Sequence, residues 1–266
     1  MTRTGIRART ARAPDFRRFD DAPRAVAAHA NSHAGGTVIP FHSHRRGQLL
    51  HTLTGIMRVD TADAAWIVSP ARALWIPPGI SHRVHMRGHV ELRTLYIRAD
   101  AAAALPIELT LLEISGLLRE LMRAVLEERA DYDEDGRGGL LARLILTEIE
   151  RLPGRPLSLP MPRDRRIARI TNDLLERPDL RHDLDGWAEA VGASRRTLAR
   201  LFRAETGLGF AEWRARLRAI EGLSRLSAGG SVAAVAASVG YDSPSAFTAM
   251  VRRHLGATPR RLAGRP

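Results

Sequence analysis

The stretch from Leu184 to Leu262 constrains this chain more than any other, because it writes one small helical unit twice. Ala188 is followed four residues later by Gly192, then by Ser194, Leu198, Leu201-Phe202 and Gly207. Ala236 is followed four residues later by Gly240, then by Ser243, Phe247, Met250-Val251 and Gly256. From Ser194 or Ser243 onward the offsets are the same, and the second turn carries one extra residue. Each copy reads as a short apolar helix, a glycine able to take positive φ at a sharp turn, and a serine that N-caps a second helix. Pro244 suits the first helical position, where a missing N–H costs nothing. Ala188 and Ala236 are small enough to let the two helices of each copy cross closely.

In the second helix of each copy the apolar residues fall three and four apart, which buries one face. Leu198, Leu201 and Phe202 go inward, leaving Arg195, Arg196, Thr197, Ala199, Arg200 and Arg203 outside. Phe247, Met250 and Val251 go inward, leaving Ser245, Ala246, Thr248, Ala249, Arg252 and Arg253. A face that mixes Arg with short side chains can enter a DNA major groove, Arg bonding guanine or phosphate while the short residues let the backbone approach. Arg195, Arg196, Thr197, Arg200 and Arg203 are therefore the candidate contacts of the first unit, and Ser245, Ala246, Thr248, Ala249 and Arg252 those of the second. The apolar positions Trp213, Leu217, Ile220, Leu223 and Leu226 make the segment between them a connecting rod.

This region resembles the double helix-turn-helix domain of the AraC/XylS family of bacterial transcription regulators. Gly192-Ala193-Ser194-Arg195-Arg196-Thr197-Leu198 with Arg200-Leu201-Phe202-Arg203 and Gly207 is similar to the family's first unit. Gly240-Tyr241-Asp242-Ser243-Pro244-Ser245-Ala246-Phe247, with Gly256 and Thr258-Pro259 behind it, is similar to the second. Trp187 stands where Leu is usual, and Leu262 follows Pro259 where the family often has an aromatic residue and then Arg; neither lies on an outward face. The resemblance implies two readers meeting one DNA face in successive major grooves, roughly 34 Å apart. It also implies a homodimer addressing operator or promoter DNA, with RNA polymerase as a further partner and a role as activator or repressor.

The 266 residues suffice for two domains, and the charge is unevenly placed. Residues 163–266 hold 19 Arg against 11 acids, a balance of +8; residues 1–18 hold six Arg against one acid, +5; residues 19–162 hold 16 Arg against 17 acids, −1. Positive charge thus sits on one domain and one tail, as expected where phosphate neutralisation drives affinity. The absence of cysteine excludes disulfides, thiolate metal sites and a cysteine nucleophile. No stretch approaches the ~18 uninterrupted apolar residues of a membrane span, and the Arg-rich start lacks a signal-peptide core, so the expectation is a soluble cytoplasmic protein without membrane contact.

Residues 1–22 read as a flexible Arg-rich arm. From Val38 to Ile97, short β-like runs broken by Gly, Pro and Asp (48–53, 56–59, 66–68, 73–76, 82–86 and 90–97) predict a small antiparallel barrel or sandwich. Glu108–Arg129 and Leu140–Leu152 predict an amphipathic helical hairpin whose spare face is a candidate dimer seam. The proline-rich 153–162 reads as a linker, and Arg163–Glu176 as a lead-in helix. The expected fold class is α+β in two domains: a cupin-like jelly roll with a helical hairpin over 23–152, and an all-α double helix-turn-helix over 163–266.

Within the barrel region, His42, His44 and Gln48, then Gly55, then Pro78-Gly79-Ile80-Ser81-His82 resemble the two cupin motifs. In metal-binding cupins the matching positions are two His, a Glu and a third His. Here the Glu position is Gln48, and Met86 replaces the Asn that often ends the second motif. By that resemblance His42, His44, Gln48 and His82 are the candidate pocket for a small-molecule effector, with Trp75 as a further candidate. His42, His44, His82 and Gln48 are also a candidate site for a divalent metal, Zn, Ni or Fe. His51 and His85 lie off the motif and read as surface or packing residues. The leading function is a DNA-binding transcription factor that answers to an effector, with no catalytic residue. The alternative is a cupin metalloenzyme, such as a dioxygenase or isomerase, with an appended helical assembly domain.

Overall fold

The computed structural model describes residues 9–10, 17–155, 158–255 and 258–259. Most of the expected arm, together with Gly256 and Leu262, lies outside them. The chain divides into two compact units, one of residues 1–61 and 68–157, the other of residues 62–67 and 158–266.

In chain order the first unit begins with β1 (Arg9–Thr10), a helical turn α1 (Arg17–Asp20), β2 (Val26–His33), β3 (Thr37–His42), β4 (Gly47–Thr52) and β5 (Ile56–Asp60). The excursion β6 (Ala64–Val68) runs mostly through the second unit. Then come β7 (Arg72–Ile76), β8 (His82–Arg87), β9 (Val90–Ile97), β10 (Thr110–Glu113), α2 (Gly116–Val125), α3 (Arg137–Arg151) and β11 (Gly154–Arg155). One antiparallel sheet runs β11-β10-β7-β4-β9-β2, and β1-β3-β8-β5 belong to the other. All six residues of β4 are buried, since both of its faces are covered. Leu49 pairs with Trp75 on one side and Leu95 on the other. These three share a core with Ile97 and with Leu118, Leu121, Met122, Ile145 and Ile149 of the α2–α3 hairpin. Strand alternation then sends Gln48 and Leu50 to the opposite face.

Four expectations change. The helix expected from Glu108 begins at Gly116: Leu111 and Leu112 pair with Leu74 and Ala73 as strand β10, and Ser115 caps the helix by accepting from the Leu118 N–H at 2.9 Å. An apolar count cannot separate a buried strand of two leucines from the first turn of a helix. Helix α3 begins at Arg137 rather than Leu140, because its first turn is Arg-Gly-Gly and carries no apolar signal. Strand β2 is absent from the sequence reading: Val-Ala-Ala-His-Ala-Asn-Ser-His lacks β-branched alternation, yet it pairs with β9 along its whole length. The arm, expected to be flexible to residue 22, is packed from α1 onward. Phe19 is buried and stacks on Tyr96 at 4.4 Å, and the Arg46 guanidinium donates to the carbonyls of Ala22, Arg24 and Ala25.

The second unit adds β12 (Leu159–Pro160), α4 (Arg165–Glu176), α5 (Leu184–Val191), α6 (Arg195–Thr206), α7 (Phe210–Ser227), α8 (Val232–Ser238) and α9 (Pro244–Leu255). Strand β12 pairs with β6, Leu159 opposite Ala65. The Trp213 indole of α7 donates to the Pro160 carbonyl at 2.8 Å, so the stretch expected as a plain linker carries ordered contacts at its end. Asp164 caps α4 through the Arg166 N–H. No helix among the described residues is long and apolar enough to cross a membrane.

His51 is buried on the face of β4 that carries Leu49, and its Nδ1 lies 3.1 Å from the Arg72 carbonyl. Loss of hydration pushes its pKa from 6.5 down to about 4. Between those values the unfolded chain takes a proton that the folded chain refuses, so stability falls as pH drops from about 6.5 to about 4 and no further below. His51 alone should remove on the order of 3 kcal/mol over that range. Urea unfolding between pH 7.5 and 4.5 should show this slope, and His51→Gln should remove its share, leaving the part due to the other buried imidazoles; an unchanged slope in the variant would contradict the assignment.

Candidate functional sites: a doubled helical reader and a histidine chamber

The second unit builds the same device twice. Asp183 caps α5 by accepting from the Gly186 N–H, α5 ends at Gly192 with φ 65°, and the Ser194 hydroxyl accepts from the Thr197 N–H to start α6. In the second copy Ser231 caps α8, Gly240 turns with φ 82°, and Ser243 accepts from the Ala246 N–H to start α9 at Pro244. A side chain at either glycine would strain this backbone. Leu198 and Phe202 are fully buried, Phe202 lying 6.4 Å from the Trp213 ring of α7. Phe247, Met250 and Val251 pack with Ala219, Leu223 and Leu226 of the same α7 and with Val235, Ala236 and Val239.

Arg218 of α7 was not singled out by sequence reasoning. Its buried guanidinium donates to the carbonyls of Pro178 (2.8 Å), Leu180 (2.9 Å) and Gly240 (3.4 Å) and lies over the Tyr241 ring. It thereby ties the segment leading to the first reader to the turn of the second. Only its place on a buried helix could have hinted at this: an Arg at an apolar phase needs acceptors.

The candidate reading residues lie as follows. Arg195, Arg196, Arg200 and Arg203 of α6 are exposed, and Thr197 is half-buried. Arg195 is paired with Asp185 at 2.7 Å, and the Thr197 hydroxyl is 2.9 Å from that of Ser194. In α9, Ser245, Ala246, Ala249 and Arg252 are exposed and Thr248 is half-buried. The Ser245 hydroxyl lies 3.0 Å from that of Ser243. Arg253 is exposed beside Arg252 and extends this basic end of the helix.

In the first unit, a β-bulge between Ile39 and His42 sets His42 opposite His82 across β3 and β8. Ring centroids lie 4.3 Å apart for His42–His82, 4.9 Å for His42–His44 and 5.5 Å for His44–His82. One nitrogen from each ring falls within 4.8 Å of the others. His42 Nδ1 lies 2.7 Å from the Pro40 carbonyl and His82 Nδ1 lies 2.9 Å from the Ile80 carbonyl. An Nδ1–H donated to a carbonyl leaves the Nε2 lone pair as the donor to a ligand. Burial holds His44 down to about 4 and His82 down to about 3, so both rings are neutral near pH 7. Their form is therefore the metal-ligating and hydrogen-bond-accepting one.

Gln48 and Tyr96 complete the chamber, the amide Nε2 3.5 Å from the phenol oxygen and the Tyr96 ring 5.1 Å from that of His44. His82 Nε2 and Gln48 Oε1 are buried without a hydrogen-bond partner among the described residues. A tetrahedral ion held by nitrogens at about 2.1 Å needs donor separations of roughly 3.4 Å. The triangle would have to close by little more than an ångström, and the donor set fits a borderline divalent metal. His29, Asn31 and His33 of β2, missed with their strand, line the cavity beside His42 and Gln48. Trp75 is a correction: alternation along β7 places it on the hairpin side of the sheet, in the core with Leu49, and its indole donates to the Pro106 carbonyl at 2.7 Å. His85 lies in a different cluster, 3.0 Å from Asp60, which also pairs with Arg58 and Arg83.

The comparisons with known proteins agree with this arrangement. Residues 25–145 match the AraC-like ligand binding domain and residues 187–265 a helix-turn-helix domain. Over 235 residues the chain is 34% identical to the HTH-type transcriptional regulator NimR of Escherichia coli, covering 88% of this chain and 86% of that one. Over 100 residues it is 39% identical to the HTH-type transcriptional regulator RipA of Corynebacterium glutamicum, covering 38% of this chain and 30% of that one. Among solved structures, the DNA-binding domain of AdpA in complex with a target DNA matches at 31% identity and TM-score 0.35, covering 37% of this chain and 89% of that one. The protein is a helix-turn-helix transcription regulator with a ligand-binding domain, and the chain belongs to the AraC/XylS family.

Replacing Arg218 by Met should cost the second unit about 3 kcal/mol, since charge-assisted hydrogen bonds are each worth roughly 1.5–3 kcal/mol and three carbonyls would lose their donor. Denaturant unfolding followed by far-UV circular dichroism would measure it, with gel-shift affinity falling in parallel. Unchanged stability would show that the guanidinium is not a clasp.

Proposed function

We propose that the protein reads operator DNA through α6 and α9 and alters transcription when a small effector occupies the chamber of the first unit. The observation that carries this reading is that two capped helices, each with an outward face of Arg and short side chains, are built on one shared helix, α7. Arg196, Arg200, Arg203 and Arg252 supply guanidinium contacts to bases and phosphates. Arg195 must exchange Asp185 for DNA or stay as a brace. Thr197, Ser245, Ala246, Thr248 and Ala249 let the backbone approach base edges. The setting is the cytoplasm, with RNA polymerase as the machinery addressed at a promoter.

The chamber of His42, His44, Gln48 and His82 is the proposed effector site, and its donor set supports a resident divalent metal, Zn, Ni or Fe, on the three imidazoles. Bound there, such an ion would supply a Lewis-acidic coordination position. The first unit also supports a homodimer. Leu140 and Leu144, one turn apart on α3, and Leu117 on α2 are large apolar side chains left 59%, 42% and 48% exposed.

Arg196→Ala should weaken binding by about 1–3 kcal/mol and relax preference at one base position in gel shifts across operator variants. Unchanged affinity and preference would refute the contact. A Leu140→Glu, Leu144→Glu double variant should sediment as a monomer at concentrations where the parent is a dimer; a dimer that survives both changes places the seam elsewhere.

A further inference from the structure

The chamber's charge balance leads beyond the presence of a metal, and this inference rests on the metal reading given above. Its donors are all neutral. The imidazoles of His42 and His82 have their Nδ1 atoms at backbone carbonyls, Gln48 is an amide, and Tyr96 is a buried phenol whose oxygen accepts from Gln48. The cavity beside them is lined by His29, Asn31 and His33 as well as by Ile39, Leu50, Val84 and Leu92, and holds no carboxylate among its described lining residues. Asp20 is engaged elsewhere, accepting from the backbone N–H groups of Arg45 and Arg46. Arg18 places positive charge next to the lining residue His29, its guanidinium 3.4 Å from His29 Nδ1. With no carboxylate among the described lining residues, a divalent ion here would keep its +2 in a largely buried setting of neutral groups, which is costly unless a counter-charge arrives with the ligand.

We infer that the chamber takes its effector as an anion, an anionic oxygen or nitrogen group ligating the metal beside His42, His44 and His82, and that Gln48 is the residue that makes the site anion-selective. A glutamate at position 48 would cancel one charge of the ion and repel a second anion. Gln48 instead leaves the charge uncompensated and offers its Nε2–H, with the Tyr96 O–H next to it, as donors to the incoming group. The void beside His42 and Gln48 has room for the centre of about one water-sized group, about 20 Å³. What enters is thus a small anion or the anionic tip of a larger molecule. Gln48 Oε1 and His82 Nε2, buried and unpartnered, are the atoms whose cost such a complex would relieve.

The test loads the full-length protein with Co(II) and titrates azide, following the visible d–d bands. Co(II) should bind stoichiometrically to the parent and not to His82→Ala. Azide should shift the bands saturably in the parent, and Gln48→Glu should retain Co(II) while its azide dissociation constant rises at least tenfold. Retained Co(II) also reports that the Gln48→Glu chamber is folded. If the parent fails to bind Co(II), or His82→Ala binds it equally, the metal reading falls and this inference with it. If Co(II) binds through His82 but azide leaves the spectrum unchanged, or Gln48→Glu binds azide as tightly as the parent, the metal reading stands and the anion inference alone is overturned.

Discussion

Helix α7 is the constraint on which the rest of the second unit depends. Two helical hairpins of this size expose too much apolar surface to stand alone, and each finds its missing core on the same helix. Phe202 of the first packs near Trp213, and Phe247, Met250 and Val251 of the second pack on Ala219, Leu223 and Leu226. A rigid helix between two packed hairpins holds their orientation as well as their stability, because a close-packed interface does not deform continuously. Arg218 adds a polar lock to an apolar joint. Its buried guanidinium tolerates desolvation because three backbone carbonyls receive it, and those carbonyls belong to two separate segments, one before α5 and one at the turn after α8. Fixed presentation of two basic faces is what a bipartite reader of DNA requires.

The first unit solves a different problem, that of keeping polar groups inside an apolar barrel. The sheet carrying β4 is covered on both faces, so alternate residues serve separate compartments: Leu49 and Trp75 go to the hairpin core, Gln48 and Leu50 to the chamber. Desolvation keeps the imidazoles neutral, and backbone carbonyls select the tautomers of His42 and His82. The result is a set of ring nitrogens held close together with no carboxylate among the described lining residues, an arrangement suited to a site that binds a ligand.

The second unit was legible because its signals are local. Gly192, Ser194, Gly240, Ser243 and Pro244 act through their own backbone conformation and capping bonds, and periods of three and four mark which face is buried; the observed helices follow these signals closely. The motif histidines His42, His44 and His82 were legible for a related reason, since the spacing of His42 at the end of β3, His44 just past it and His82 at the start of β8 is read from the chain. What escaped the sequence depends on pairing across distance. Strand β2 is held by β9 rather than by its own composition, Leu111 and Leu112 are claimed by β7, and Phe19 is fixed by Tyr96 and the Arg46 clasp. Trp75, expected in the pocket, is sent by strand parity to the other face, into the core with Leu49. The direction of a single strand residue turns on a register that no local signal sets.

The central claim, that one chain presents two readers to one face of a duplex, is tested most directly by hydroxyl-radical footprinting of the full-length protein on a site selected from a random duplex pool. Each protomer should protect two short clusters on the same face, with centres one helical turn apart, about 10–10.5 base pairs. A single protected cluster per protomer, or two clusters on opposite faces of the duplex, would contradict the account.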